Sequence, residues 1–210
     1  MAAARPAPSL AQEAGPLCLW AMRIISGEYR SRRLEAPPGL STRPTSDRLR
    51  ETLFNVLAAR LSGTTFLDLY AGSGAVGLEA LSRGAARATF VERAPAALKA
   101  LRRNLEQLGV KQGYAVRAET VASFLRLAAK AGQEPAHYDV VFLDPPYDAA
   151  QEYAATLLGL GGGSKVLAAG AIVVAEHRRK QSLEELYGGL KRVRLLEQGD
   201  AALSFYEADC

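Results

Sequence analysis

The chain has 210 residues, 49% of them hydrophobic, and a formal net charge of +4, which suffices for one α/β core and is compatible with a polyanionic partner. No apolar run approaches the ~18 residues that a transmembrane helix needs. The only cysteines, Cys18 and Cys210, have neither a disulfide-framework nor a metal-site spacing. From both observations we expect a cytoplasmic protein with no membrane span and no metal.

The N-terminal region divides into two parts. Residues 1–21 are rich in alanine and proline, and we interpret them as a disordered extension or as the product of a start codon upstream of the natural one at Met22. Met22–Leu34 mixes apolar residues with arginines around Ser26-Gly27, which predicts a short β-hairpin with a basic face. The predicted boundaries are therefore 1–21 for the extension, 22–45 for a basic, substrate-binding hairpin segment and 46–210 for the main domain.

A helix is expected after Ser46 or Asp47, either of which can cap its N-terminus. Apolar residues recur with a helical period from Leu49 to Leu61, and Gly63 ends the pattern.

From Thr65 onward, short apolar runs alternate with amphipathic stretches, which predicts an α/β fold with a mostly parallel sheet and helices on both faces. The turn between the last two strands is too short for a crossover, so that this pair must be an antiparallel hairpin. Strands are predicted at Thr65–Tyr70, Ala88–Glu92, Tyr114–Arg117, Val140–Asp144, Ala171–Glu176, Val193–Leu196 and Ala202–Tyr206. Helices are predicted at Val76–Arg83, Pro95–Leu108, Thr120–Ala131, Ala150–Leu160 and Ser182–Tyr187.

A glycine-rich loop follows the first strand of this sheet. Gly72, Gly74 and Gly77 match G-x-G-x-x-G between a strand and a helix, and Glu92 ends the next strand, where an acid can bind both ribose hydroxyls. The pattern fits a dinucleotide or an adenosine-bearing methyl donor. Asp68 would repel a pyrophosphate and attract the ammonium group of S-adenosylmethionine, which favours a methyltransferase over a dehydrogenase.

A second motif, Asp144-Pro145-Pro146-Tyr147, directly follows an apolar strand. Each proline fixes φ and lacks an N–H, so that the Asp144 carboxylate and the Pro145 carbonyl are expected to act as two fixed acceptors beside a flat ring. Two acceptors and a stacking surface suit the exocyclic amine of a nucleobase. The alternative interpretation is that the prolines only end the strand.

With these motifs in place, the chain resembles the RsmD family of S-adenosylmethionine-dependent 16S rRNA guanine-N2 methyltransferases. The resemblance covers nearly all of the chain from Met22 to Tyr206 and rests on Met22–Arg30, Thr42–Asn55, Asp68–Ala85, Phe90–Glu92, Asp144–Tyr147 and Gly199–Tyr206.

The resemblance implies a Rossmann-like class I methyltransferase fold with a seven-stranded, mostly parallel sheet and a C-terminal antiparallel hairpin. It implies S-adenosyl-L-methionine as donor, S-adenosyl-L-homocysteine as product, and 16S rRNA within a small-subunit ribosomal particle of the bacterial cytoplasm as partner. Where the family usually has Gly-Asp, this chain has Ala118-Glu119, so that Glu119 takes the place of the carboxylate near the adenine. The expected cofactor-binding residues are Asp68, Tyr70, Gly72, Gly74, Glu92, Arg93, Glu119 and Asp144.

For the reaction, we expect a guanine flipped out of its stack. Asp144 and the Pro145 carbonyl would accept the two N2 hydrogens while Tyr147 stacks on the ring, so that the expected catalytic residues are Asp144, Pro145, Pro146 and Tyr147.

Basic residues near the N-terminus are the candidates for substrate contact. We expect Arg23, Tyr29, Arg30, Arg32 and Arg33 to bind phosphates and stack on bases, with an ordinary solvated basic face as the alternative. Arg43 and Arg48 would bind the donor carboxylate or the substrate, or brace the helix that follows. His177 and the run Arg178–Lys180 are interpreted as a solvated loop, with a place near the acceptor as the alternative.

Three other functions remain open at this point. An N6-adenine methyltransferase acting on DNA or RNA fits Asp144–Tyr147 equally well, although the spacing leaves no room for a target-recognition insert. The others are a binding module without turnover and a nicotinamide-dependent oxidoreductase.

Overall fold

A computed structural model of the chain describes residues 22–37, 46–128, 137–146, 150–163 and 165–209. The helices are α1 (Asp47–Leu61), α2 (Ala75–Ser82), α3 (Pro95–Leu108), α4 (Val121–Ala128) and α5 (Ala150–Gly161). The strands are β1 (Thr65–Leu69), β2 (Arg87–Glu92), β3 (Tyr114–Ala118), β4 (Tyr138–Leu143), β5 (Leu167–Arg178), β6 (Leu186–Tyr187), β7 (Leu190–Gln198) and β8 (Ala201–Ala208).

The strands form one sheet in the order β3-β2-β1-β4-β5-β8-β7-β6. The first five strands are mutually parallel, while β8 pairs antiparallel with β5, and β7 with both β8 and β6. Chain order reverses between β1 and β4, so that the crossover connections leave in opposite directions at this point. Open α/β sheets bind ligands in the crevice that such a reversal leaves at the carboxyl ends of the strands.

Alternation along the strands divides the core into two layers. Phe66, Phe90, Phe142 and Val174 project toward α1, α2 and α3 on one face of the sheet. On the other face, a layer that includes Leu67 packs against α4 and α5. Successive strand side chains point to opposite faces, so that each strand contributes to both layers.

The N-terminal segment folds back on itself beside α2. Ile24 N–H donates to the Arg32 carbonyl (2.9 Å) and Leu34 N–H to the Met22 carbonyl (2.7 Å), around an antiparallel bridge between Arg23 and Arg33. The predicted hairpin is therefore present, although its ladder contains a single bridge. Buried Met22, Ile24 and Leu34 join it to the α1–α3 layer of the core.

A buried acid in α2 fixes this hairpin. The Glu79 carboxylate accepts hydrogen bonds from the N–H groups of Ile25 (2.7 Å) and Ser26 (3.0 Å) and from Arg83 Nε (2.6 Å). One turn further on, Ser82 Oγ accepts from Tyr29 N–H at 2.9 Å. The hairpin thus runs alongside α2, with its turn at the helix C-terminus.

The predicted fold class is confirmed, and so are all seven predicted strands to within a few residues at their ends. The two-residue strand β6 adds an eighth to the sheet among the described residues. The boundaries at residues 21 and 45 stay a prediction, because 1–21 and 38–45 lie outside those residues.

One predicted helix, Ser182–Tyr187, is wrong. Leu183 and Tyr187 are buried, and the Tyr187 hydroxyl accepts a hydrogen bond from Glu184 N–H at 3.0 Å. The Tyr187 ring meets the Tyr206 ring edge-on at 5.7 Å. A helix of six residues is marginal by itself, so that these tertiary contacts and the following turn decide the conformation.

The turn at Gly27 leaves no room for a side chain. Its φ is +85°, and an added Cβ would lie 1.7 Å from the Ser82 carbonyl oxygen. We expect Gly27→Ala to push the hairpin off α2 and to lower the free energy of unfolding by about 3 kcal/mol, measured by urea denaturation. Gly63→Ala is the matched control, because φ is +75° there but no heavy atom beyond its chain neighbours lies within 4 Å of the added Cβ, and strain alone costs about 1 kcal/mol. Equal losses would contradict this packing.

Candidate active site

Three carboxylates meet at the carboxyl edge of the sheet. Asp68 lies in β1, Asp144 directly follows β4, and Glu176 lies in β5. Phe142 is in register with both Asp68 and Val174, so that Asp144 is level with Glu176 and two residues beyond Asp68. Strand alternation directs all three toward the face that carries α1, α2 and α3.

The glycine loop between β1 and α2 uses its glycines for different reasons. Gly72 has φ +56° and open space where a Cβ would stand, which leaves its backbone accessible to a ligand. At Gly74, with φ +82°, a Cβ would lie 2.3 Å from Leu101 Cδ1, and at Gly77 it would lie 2.3 Å from Phe90 Cε1. Only Gly72 therefore faces the crevice, while the other two allow the loop and α2 to pack closely.

Asp68 anchors this loop from below. Its Oδ2 accepts a hydrogen bond from Gly77 N–H at 2.8 Å, and only 1% of the residue is exposed. Burial raises the pKa of Asp68 to about 7, the Gly77 hydrogen bond opposes this shift, and the charge of Glu92 adds to it. A buried carboxylate in this state is suited to a cationic partner, because the positive charge offsets the free-energy cost of ionising the carboxyl group.

Glu92 holds the other side of the loop. Its Oε2 accepts from Gly72 N–H at 2.8 Å, and its Oε1 accepts from the N–H groups of Arg93 and Ala94, both at 2.7 Å. Each carboxylate oxygen offers two lone-pair directions, so that Oε2 can accept a further hydrogen bond from a ribose hydroxyl. Asp68 and Glu92 are thus both close to the loop, as the sequence predicts.

Tyr70 connects the loop to the opposite helix layer. Its φ is +61°, a conformation that non-glycine residues rarely adopt, and its hydroxyl lies 2.9 Å from Thr156 Oγ1 in α5. Burial raises the pKa of Tyr70 to about 12. The strained backbone is held by this anchor at the edge of the crevice.

Asp144 is partly buried and lies near two other acids, Glu176 and Asp68. Burial raises its pKa well above that of an ordinary aspartate, and the negative charges of Glu176 and Asp68 add to this shift. Like-charged carboxylates in one site resist simultaneous ionisation. A cation that enters the site would therefore favour their ionised forms. Glu176, only 2% exposed, was missed by the sequence reasoning, since nothing local distinguishes an acid at a strand end.

The residues after Asp144 adopt different environments. Pro145 is buried, and its carbonyl oxygen lies 3.5 Å from the hydroxyl of buried Tyr153. That hydroxyl donates its single hydrogen to the Glu176 carbonyl at 2.8 Å, which leaves the longer contact weak. Pro146 is exposed. Tyr147, the predicted stacking residue, lies outside the described residues.

The remaining cofactor candidates follow β2 and β3. Arg93 is exposed directly after Glu92, and partly buried Glu119 follows β3, where its Oε1 lies 3.7 Å from Arg117 Nε. Both are at the carboxyl edge of the sheet, after β2 and β3, which follow β1 and its glycine loop in the strand order.

The predicted substrate-binding residues do not gather at this edge. Tyr29 and Arg30 lie in the hairpin turn near Ser82, and Arg32 donates to the Gln107 carbonyl near the end of α3. The Tyr29 ring is half-buried against the core, which leaves little of it for stacking. The turn lies at the opposite end of α2 from the glycine loop.

Arg23, Arg33 and Arg48 are exposed; Arg48 is in the first turn of α1 near the carboxyl edge, and the Arg23 side chain reaches the same turn. Arg23 is 3.5 Å from Asp47, and Arg43 lies outside the described residues. His177 is not in a solvated loop: it is buried in β5, with Nε2 2.9 Å from Ser204 Oγ, whereas Arg178–Lys180 are exposed. Its place in the strand extends β5 beyond the predicted end at Glu176.

The described part of the chain contains no group of three or more histidine, cysteine or acidic side chains arranged to hold a metal ion. None of its helices combines the length and apolar character that crossing a bilayer requires.

The sequence matches, over residues 22–207, a family described as "Conserved hypothetical protein 95", which is the RsmD family. The chain belongs to this family. The solved structures that resemble it are those of S-adenosylmethionine-dependent methyltransferases, and its own sheet is mostly parallel with antiparallel C-terminal strands.

Relatives of the chain cover most of its length. A Bacillus subtilis protein, "Putative rRNA methyltransferase YlbH", is 36% identical over 186 residues, 89% of this chain and 98% of that protein. The Escherichia coli K12 "Ribosomal RNA small subunit methyltransferase D" is 44% identical over 126 residues, 60% of each chain. The solved structure of "Putative methyltransferase yhhF" from E. coli superimposes with a TM-score of 0.76 at 33% identity and covers 90% of this chain and 98% of that one.

The raised pKa of Asp68 predicts pH-dependent binding of S-adenosylhomocysteine. The sequence predicts that the ligand ammonium binds ionised Asp68, in which case protonation of Asp68 below about pH 7 would compete with binding. We expect affinity to fall by up to tenfold per pH unit below about pH 7 and to level off above it, as measured by calorimetry between pH 5 and 8.

The matched variant is Asp68→Asn, whose amide oxygen can still accept from Gly77 N–H but which cannot ionise. We expect its affinity to be low and nearly independent of pH. A flat profile for the unmodified protein, or unchanged affinity in Asp68→Asn, would contradict a contact between Asp68 and the ligand.

Proposed function

We propose that this protein transfers a methyl group from S-adenosyl-L-methionine to the exocyclic N2 amine of a guanine in 16S rRNA. The observation that carries the proposal is the arrangement of Asp68, Asp144 and Glu176 along three adjacent strand ends, beside a glycine loop at the reversal of strand order. Membership of the RsmD family and the name of the E. coli relative support ribosomal RNA of the small subunit as the substrate. The substrate would be a small-subunit particle in the bacterial cytoplasm.

The loop and its acids fit the donor. The open space at Gly72 accommodates a ligand against the backbone, and Glu92 Oε2 has acceptor capacity for a ribose hydroxyl. Asp68 suits the ammonium group of the methionine part, while Glu119 and Arg93 flank the adenine side. When bound, S-adenosylmethionine supplies a methyl group on a cationic sulfur, which is an activated leaving group.

The residues after β4 would orient the acceptor amine. The N2 lone pair of guanine is delocalised into the ring, which makes this nitrogen a poor nucleophile. Two acceptors, an Asp144 oxygen and the Pro145 carbonyl, would hold the two N2 hydrogens and turn the lone pair toward the crevice, with Tyr147 stacking on the base. Positioning of this kind supplies most of the rate gain in a transfer that needs no strong base.

Asp144 also has a role after the methyl group has reached N2. The nitrogen then carries one proton too many and is strongly acidic, and Asp144 is the adjacent acceptor. Burial and the charge of Glu176 raise the pKa of Asp144, which makes its ionised form a stronger proton acceptor than an exposed aspartate.

The neighbouring acids favour guanine over adenine. Guanine presents two adjacent donors on its Watson–Crick edge, N1–H and the N2 amine, whereas adenine presents an N1 acceptor beside its amine. Asp144 and Glu176 lie level on adjacent strands, and an ionised carboxylate there accepts a hydrogen bond from either donor of guanine. An adenine N1 there would face negative charge.

Mass spectrometry of 16S rRNA nucleosides tests the function. A strain that lacks the gene should lose one N2-methylguanine, and the intact gene should restore it. We expect Asp144→Ala to restore less than about 1% of the methylation rate, and Asp144→Asn, which keeps one acceptor, to restore more.

Binding of S-adenosylhomocysteine to both variants shows that the cofactor site is intact. Near-normal methylation by Asp144→Ala would refute the assigned role. Loss of N6-methyladenine in place of N2-methylguanine would refute the guanine assignment.

A further inference from the structure

Three consecutive cations, Arg178, Arg179 and Lys180, extend from the end of β5 over the carboxyl edge of the sheet, and all three are exposed. Arg178 lies two residues beyond Glu176, which is level with Asp144 on the adjacent strand. At about 3.3 Å per residue, Arg178 is therefore only about 7 Å further along the strand direction than the acids of the site.

Backbone hydrogen bonds hold this basic turn in place. Arg179 N–H donates to the Asp200 carbonyl at 2.8 Å, and Gln181 N–H donates to the Arg178 carbonyl at 2.8 Å. Arg178 is also in register with Ala201 of β8. The cations are thus attached to the rigid sheet, which lowers the entropy cost of presenting them to a ligand.

A fourth cation comes from α1. Thr52 Oγ1 lies 2.9 Å from Gln198 Oε1 at the end of β7 and 3.0 Å from the Arg48 carbonyl one turn earlier, so that the N-terminal half of α1 contacts the end of β7. Arg48 is exposed there. The neighbouring Asp47 is paired with Arg23 at 3.5 Å and with Arg50 at 2.9 Å, which largely compensates its charge.

The hairpin turn that the sequence favours for RNA contact lies elsewhere. Tyr29 and Arg30 pack near Ser82 at the end of α2, and the eight residues of this helix separate them from the glycine loop by about 12 Å. A nucleotide flipped into the site carries phosphates one sugar away from its base, so that their contacts must lie at the mouth of the site.

We propose that Arg48, Arg178, Arg179 and Lys180 form a cationic rim that binds the RNA phosphates flanking the target nucleotide. The inference rests on the proposed function and deepens it. Exposed Glu197 near the end of β7 and exposed Asp200 in the β7–β8 turn would repel a phosphate backbone and confine its path to the rim. The hairpin turn would then have a structural role through its packing on α2.

The test compares paired neutralisations, with small ribosomal subunits and 16S rRNA from a strain that lacks the gene as probes. We expect Arg179→Gln/Lys180→Gln to weaken RNA binding roughly tenfold near 0.1 M salt and to flatten the slope of log affinity against log salt by about 1.5. The rate at saturating RNA and the affinity for S-adenosylhomocysteine should stay within about twofold, since phosphate contacts position the substrate.

The matched control is Arg102→Gln/Lys111→Gln, two exposed cations that line an open groove between α3 and β3, and it should leave the slope unchanged. The inference is overturned if Arg179→Gln/Lys180→Gln binds like the unmodified protein, or if Arg30→Gln/Arg33→Gln alone flattens the slope. An unmodified protein that methylates neither probe would refute the proposed function instead.

Discussion

Asp68 and Glu176 are buried along one edge of the sheet and Asp144 between them is partly buried, and such burial of carboxyl groups is costly unless donors or cations compensate it. Gly77 N–H donates to Asp68, and the negative charges of Glu176 and Asp68 raise the pKa of Asp144. A cationic ligand in the crevice would offset the negative charge that these acids place on one another. The combined negative charge of the three acids therefore favours a sulfonium donor, and no single contact accounts for this preference.

The same acids shape the glycine loop. Asp68 accepts a hydrogen bond from Gly77 N–H in α2. Glu92 accepts from Gly72 N–H and from the N–H groups of the two residues that follow Glu92 in the sequence. Two strand ends are thereby connected to one loop through its backbone N–H groups. Because these hydrogen bonds lie within the protein itself, they restrict the conformations of the loop and lower the ordering cost of binding.

Features encoded by neighbouring residues could be predicted from the sequence. The strands, the glycine loop and Glu92 follow from short apolar runs, turn chemistry and a fixed spacing, and all are present. Glu176 depends on the register between β4 and β5, which no local pattern reveals. Likewise, the basic hairpin was predicted correctly, but its docking on Glu79 and Ser82 sends Arg30 away from the site. The helix prediction for Ser182–Tyr187 was wrong because the apolar residues of this segment contact Tyr206 and do not form one face of a helix.

A crystal structure of the protein with S-adenosylhomocysteine tests the central claim most directly. The account predicts the ligand ammonium in hydrogen-bond contact with Asp68, the ribose hydroxyls at Glu92 and the sulfur facing Asp144. A ligand bound in the open groove between α3 and β3, near Arg102 and Tyr114, would contradict it. So would a ligand in the crevice whose ammonium group makes no contact with Asp68.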